Sequence, residues 1–172
     1  MKMKRAGTLV LAVLGLVLTT GCPFESAVPL GNPGAGSLDP QLRGRWLWVI
    51  EKDLKVLEIE FLPFNKDEYY VEAREKDKKV ERYRAYTVRV GGEPFLNFVK
   101  ISDDTAGHPF NFARYSVGRD GAPTMRFVGE KAVSKGLGTD QKGLERFVAA
   151  HLEDASLYDS EAPSILRRPS GS

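Results

Sequence analysis

From Leu42 onward, apolar and polar residues alternate in short runs separated by turn residues, the pattern of half-buried β-strands. Arg45 to Glu51 places Trp46, Trp48 and Ile50 on one face. Lys55 to Phe61 places Leu57, Ile59 and Phe61 on one face and Glu58 and Glu60 on the other. Glu68 to Arg74 alternates Tyr69, Val71 and Ala73 with Tyr70, Glu72 and Arg74. Val80 to Val90 reads as a long strand with an ambiguous face, because Tyr86, Val88 and Val90 share their parity with Arg82 and Arg84. A bulge or a half-solvated rim would reconcile them. Phe95 to Ile101, Phe110 to Val117 and Thr124 to Val133 follow, and Ser164 to Arg168 adds a last short strand.

Tight turns join these runs. Gly91-Gly92 and Asp120-Gly121 supply the positive φ that two-residue hairpins demand. Short connections make an up-and-down antiparallel meander the economical topology. Closure of a twisted meander removes its edges, so the expected fold is mainly β, a small barrel of about eight strands. One helix is predicted near the carboxyl end: Thr139 or Asp140 caps it, and Leu144, Phe147, Val148 and Leu152 recur at helical spacing with His151 on the same face. It is expected to pack outside the barrel.

The amino-terminal part has another pattern. Lys2, Lys4 and Arg5 precede an apolar stretch from Leu9 to Leu18, then small residues and Cys22, the only cysteine. The layout is that of a secretory signal. The apolar run of about ten to thirteen residues is short for a membrane span, which needs about 20. Pro23 to Pro40 is rich in Pro and Gly and reads as a flexible tether with a reach of roughly 20–25 Å. The predicted organisation is a signal over 1–21, a modified Cys22 and tether over 22–41, a barrel with its helix over 42–168, and a disordered tail over 169–172. Removing the signal takes Lys2, Lys4 and Arg5 from 25 basic residues, leaving 22 against 23 acidic. No basic surplus points to nucleic acid.

The run Leu18-Thr19-Thr20-Gly21-Cys22 resembles the lipobox of bacterial lipoproteins, with Thr19 where Leu is usual. That resemblance implies a diacylglycerol on the Cys22 sulfur, removal of the preceding segment and acylation of the new amino terminus. The membrane would then be a partner through this lipid. Pro23 occupies the place where an aspartate marks inner-membrane retention in enteric bacteria, so the resemblance implies the outer membrane, facing the periplasm or the cell surface. Within the domain, Gly44-Arg45-Trp46 at the head of the first strand resembles the lipocalin and wider calycin group. This implies a lipocalin-like barrel closed at one end by Gly44 and Trp46, with Arg167 or Arg168 as the basic cover. The Thr-Asp-Tyr type turn of core lipocalins is missing. The layout is also similar to uncharacterised envelope lipoproteins with a small barrel.

Candidate chemistry is sparse. His108 lies in the loop Ser102 to Pro109 near Asp103 and Asp104, and its plain reading is a polar loop; no metal site or cofactor is predicted. His151 reads as a packed helix histidine. There is no Gly-x-Ser-x-Gly elbow, and Gly136-Leu137-Gly138 is too short for a phosphate loop. No catalytic set assembles, so the chain is read as non-enzymatic. Trp46, Trp48, Phe61, Tyr69, Tyr86, Phe98, Phe112 and Phe127 either fill a core or line a pocket. Two functions stay nearly level. One is a carrier of an apolar or amphipathic molecule, with Trp48, Arg84 and Arg114 as pocket candidates. The other is an envelope protein with a filled barrel that binds another protein, as an accessory subunit or an inhibitor of a secreted enzyme.

Overall fold

The computed structural model describes residues 22–50, 55–102, 107–160 and 163–170. The expected signal over 1–21 and tail residues 171–172 lie outside them, as do Asp103 and Asp104. Among the described residues the alternating runs form eight strands: β1 (Gly44–Ile50), β2 (Lys55–Pro63), β3 (Tyr69–Glu75), β4 (Glu81–Val90), β5 (Glu93–Lys100), β6 (Phe110–Val117), β7 (Pro123–Phe127) and β8 (Ser164–Arg167). Each pairs antiparallel with the next, and β1 pairs with β8 through Leu47↔Arg167 and Trp48↔Leu166. The meander is therefore a closed barrel. Gly91 and Gly92, at φ +59° and +88°, turn β4 into β5.

Side chains of alternate parity build two cores. The inner one lies inside the barrel and includes Trp46, Phe61, Tyr69, Val71, Leu96, Tyr115 and Leu166. The outer one lies between the wall and a covering layer, where Tyr86, Val88, Val90, Phe95 and Phe112 meet Leu144 and Val148 of helix α1 (Gln141–Ala150). Asp140 caps the helix by accepting from the Gly143 N–H at 3.0 Å. This covering layer resolves the ambiguous strand. β4 pairs with β5 in unbroken register from Tyr83↔Lys100 to Val90↔Glu93, with no bulge. Tyr86, Val88 and Val90 point outward beneath the cover, while Arg82 and Arg84 point outward where the wall is bare. The bare wall of β1–β4 carries Arg45, Glu58, Glu60, Glu72, Arg74 and Arg82 in ion pairs. Exposed pairs of this kind each contribute about 0–1 kcal/mol.

Two expectations need correction. β7 ends at Phe127, short of Val133. Val128 and Val133 are apolar because they belong to the outer core. The Pro/Gly-rich segment is also not a free tether over its length. Pro23 bridges to Gly129, Ser26 exchanges both backbone hydrogen bonds with Phe110 (3.0 and 2.8 Å), and Phe24, Ser26 and Leu30 are buried. Glycine and proline supply the bends, and a few apolar side chains supply the adhesion.

The strap is locked by Asn97, a fully buried outward residue of β5. Its Oδ1 accepts from the Leu30 N–H at 2.8 Å and its Nδ2 donates to the Leu30 carbonyl at 2.9 Å. Asn97→Ala leaves both backbone groups unpaired, at an expected cost of about 2–3 kcal/mol. Urea unfolding and hydrogen exchange at Leu30 check this; a Leu30 amide still protected in the variant contradicts it.

Candidate ligand-binding site in the barrel

One end of the barrel is closed. The Trp46 indole is buried, and its Nε1–H donates to the Leu42 carbonyl at 2.8 Å. The Arg168 guanidinium carbon lies 3.7 Å from its ring centroid, and Nη1 donates to the carbonyls of Arg43 (3.2 Å) and Arg45 (3.4 Å). The cation over the tryptophan is thus Arg168, while Arg167 is exposed on β8. Gly44 has φ +100°, and a Cβ there would stand 2.7 Å from Arg168 Nη1. Both the backbone conformation and the approaching arginine call for glycine.

Below this cap, Tyr69 donates its hydroxyl to the Asp39 carbonyl at 2.7 Å, and Tyr115 donates to Asp39 Oδ2 at 3.3 Å. Burial, then the Asp39 charge, pushes the Tyr69 phenol up to about 12. Burial also raises Tyr83, Tyr86 and Tyr115. A raised folded value means that each contribution is complete below the unfolded value of about 10 and is lost as pH rises through the folded one. These four phenols are therefore expected to ionise only with unfolding. Tyrosinate absorbance followed beside far-ultraviolet circular dichroism checks this; ionisation of all six tyrosines with the fold intact contradicts it.

Among the described residues, the other end is open. A cavity of about 290 Å³ lies within it, walled by Trp48, Leu57, Ile59, Phe61, Val71, Ala73, Tyr83, Phe98, Met125 and Phe127, with Pro23, Glu81, Asn111 and Asp159 at its edge. This is near the lower bound of ordinary ligand pockets, about 300–1,000 Å³. Trp48 of β1 and Phe127 of β7, on either side of the short β8, stack at 5.6 Å and 11°. Phe98 packs against Phe127 at 5.9 Å. Burial of Asp159 pushes its carboxyl up, against the opposing Arg126 charge.

A charged vestibule of about 600 Å³ continues outward from Leu57, Ala73 and Glu81. Its walls bear Lys78, Lys79, Arg82 and Lys100 against Glu75 and Glu81, a cationic excess. Lys78 pairs with Glu75 at 2.8 Å. Hydrogen bonds from Lys100 and then Tyr83 hold the Glu81 carboxyl below its usual range. The β3–β4 turn thus borders the vestibule through Glu75, Lys78 and Lys79.

The remaining candidates fall elsewhere. Arg84 stands on the outer wall, paired with Glu68 at 2.6 Å and 5.7 Å from the Phe64 ring centroid. Arg114 is also outside. It donates to Glu93, Glu153, Tyr158 and the Leu152 carbonyl, tying the end of α1 to β6. Neither arginine lines the cavity. Strand parity excludes them, because outward positions of β4 and β6 look inward-like wherever a cover buries them. The His151 Nδ1–H donates to the Phe147 carbonyl at 2.8 Å and its ring stacks on Phe147. His108 bonds Ser102 through Nε2 at 2.5 Å. Among the described residues, no three His, Cys, Asp or Glu side chains converge as a metal site would require. Sequence reasoning missed Tyr83 and Lys100; their signal was their shared parity with Ala85 and Phe98.

No family model, curated protein or solved structure matches this chain.

Proposed function

We propose that this is a non-enzymatic, lipid-anchored bacterial envelope protein whose barrel carries a single-chain amphiphile with an anionic head. The observation that carries the reading is the apolar cavity beneath a cationic vestibule. The wall accepts an alkyl chain, and Lys78, Lys79 and Lys100 receive the head. An unfilled interior favours a carrier over a filled-barrel interaction protein. The anchor is the Cys22 lipid that the lipobox resemblance implies, at the outer membrane by the same resemblance. The Cys22 side chain is exposed, as acylation requires.

Native mass spectrometry of residues 23–172 made in the periplasm, with fatty-acid titration, tests this. One added mass that disappears on denaturation is expected. Affinity should rise about fourfold per methylene, for roughly 0.8 kcal/mol each, until the cavity is full. A fatty acid should bind more tightly than the alcohol of equal length, and salt should narrow the gap. A bare protein mass with no uptake of either overturns the reading and turns attention to envelope protein partners.

A further inference from the structure

The open end of the barrel is also where the chain leaves for its anchor. Pro23 forms part of the cavity edge, the Phe24 N–H bonds the Val128 carbonyl at 2.8 Å, and the Cys22 carbonyl accepts from the Glu130 N–H at 2.9 Å. Phe24 is buried. With the strap packed, Cys22 is itself hydrogen-bonded to the barrel, so a lipid on its sulfur begins one side chain from the wall. A barrel so held cannot wander from the bilayer as a 20-residue tether would allow.

The rest of the rim suits a lipid surface. Val49 and Val56 face each other across β1 and β2 and are 41% and 47% exposed, and Ile101 beyond β5 is 39% exposed. Lys78 and Lys79 occupy the β3–β4 tip. Cys22 lies beside the β6–β7 side. Among the described residues, exposed apolar groups and Lys78, Lys79 and Lys100 therefore stand around the mouth, beside Glu75, Glu81 and Asp159. Lysines are drawn to an anionic leaflet. The closed end also exposes Leu62 and Phe64, but Leu62 lies about 20 Å along β2 from Val56.

We infer that the open rim docks on the bilayer that holds the Cys22 lipid, so that the cavity loads its amphiphile directly from that bilayer. This rests on the carrier reading above. It adds orientation and source: the occupant of the rim is a membrane surface with anionic head groups, and cargo need not cross water.

The two tryptophans report on opposite ends, Trp48 at the mouth and Trp46 at the cap. The chain from Cys22 onward, which holds every described strand, is coupled through its thiol to maleimide-bearing phospholipid. The vesicles contain phosphatidylglycerol and lipids with brominated acyl chains. About half of the tryptophan emission is expected to be quenched, and Trp48→Phe should abolish the quenchable part. Val49→Asp with Val56→Asp, both exposed, should weaken quenching while circular dichroism is unchanged. Quenching that survives Trp48→Phe, or none at all, overturns the docking. Uptake of a fluorescent fatty acid by the untethered protein is measured in parallel. Uptake without Trp48 quenching removes the orientation and leaves the carrier reading. Quenching without uptake supports docking and removes the carrier reading, and with it the loading step.

Discussion

Trp46→Ala is expected to destabilise the protein by about 3–5 kcal/mol, the range for deleting a buried aromatic side chain. Three losses coincide. The indole leaves a void at the closed end, where it is only 1% exposed. The Leu42 carbonyl loses its donor, and the Arg168 guanidinium loses the ring it covers. Trp46→Phe keeps most of the packing and loses the hydrogen bond, for about 1–2 kcal/mol. Arg168→Ala loses the cation–π contact, about 0.5–2 kcal/mol, and the two exposed carbonyl contacts. Urea unfolding followed by Trp48 emission measures each variant. The double variant should cost less than the sum by about 0.5–2 kcal/mol, because the second removal finds its partner already gone. Simple additivity would show that the stacked pair is incidental and that the cap depends on packing alone.

The closed end was the most legible part of the molecule. Gly44-Arg45-Trp46 marked it, and the alternation in β1, β2 and β3 pointed the right residues inward. Legibility failed wherever both faces of a strand are buried. Alternation carries information only when one face meets water. β4 lost that contrast at Tyr86, Val88 and Val90, and so Arg84 was read as a pocket residue. Arg114 was misread for the same reason under the end of α1. Val128 and Val133 extended the apparent strand because the outer core, not the sheet, claims them. The strap was hidden differently. Its composition fits a linker, and one of its anchors is Asn97, whose burial arises only after β5 and the strap meet. Of the three pocket candidates named from the sequence, only Trp48 lies on the cavity. The aromatic residues named from the sequence divide three ways: Trp46 and Tyr69 in the cap, Trp48, Phe61, Phe98 and Phe127 on the cavity, and Tyr86 and Phe112 beneath the outer cover.

Ala73→Phe is expected to abolish cargo binding while the barrel remains folded. Ala73 points inward from β3 opposite Ile59 and Glu81. It belongs both to the cavity wall and to the vestibule, so it stands where alkyl chain and head group would join. A phenyl ring there enters existing empty space, so the overpacking penalty should stay below the usual 1–3 kcal/mol. The ligand loses its path as well as its volume, and affinity should fall by at least about 100-fold, or 2.8 kcal/mol at 1.4 kcal/mol per tenfold. Lys100→Gln separates the other half of the site. It removes one head-group cation and should cost a fatty acid about tenfold while leaving an alcohol of equal length unaffected. Fluorescence titration gives both affinities, and thermal unfolding shows that the fold is kept. If Ala73→Phe binds as the wild type does, the cargo is not in the barrel. The surface groove beside Cys22, lined by Phe24, Ala27, Glu130 and Val133, then becomes the place to look. If Ala73→Phe fails and Lys100→Gln is silent, the cavity holds an uncharged apolar molecule and the vestibule is only its entrance.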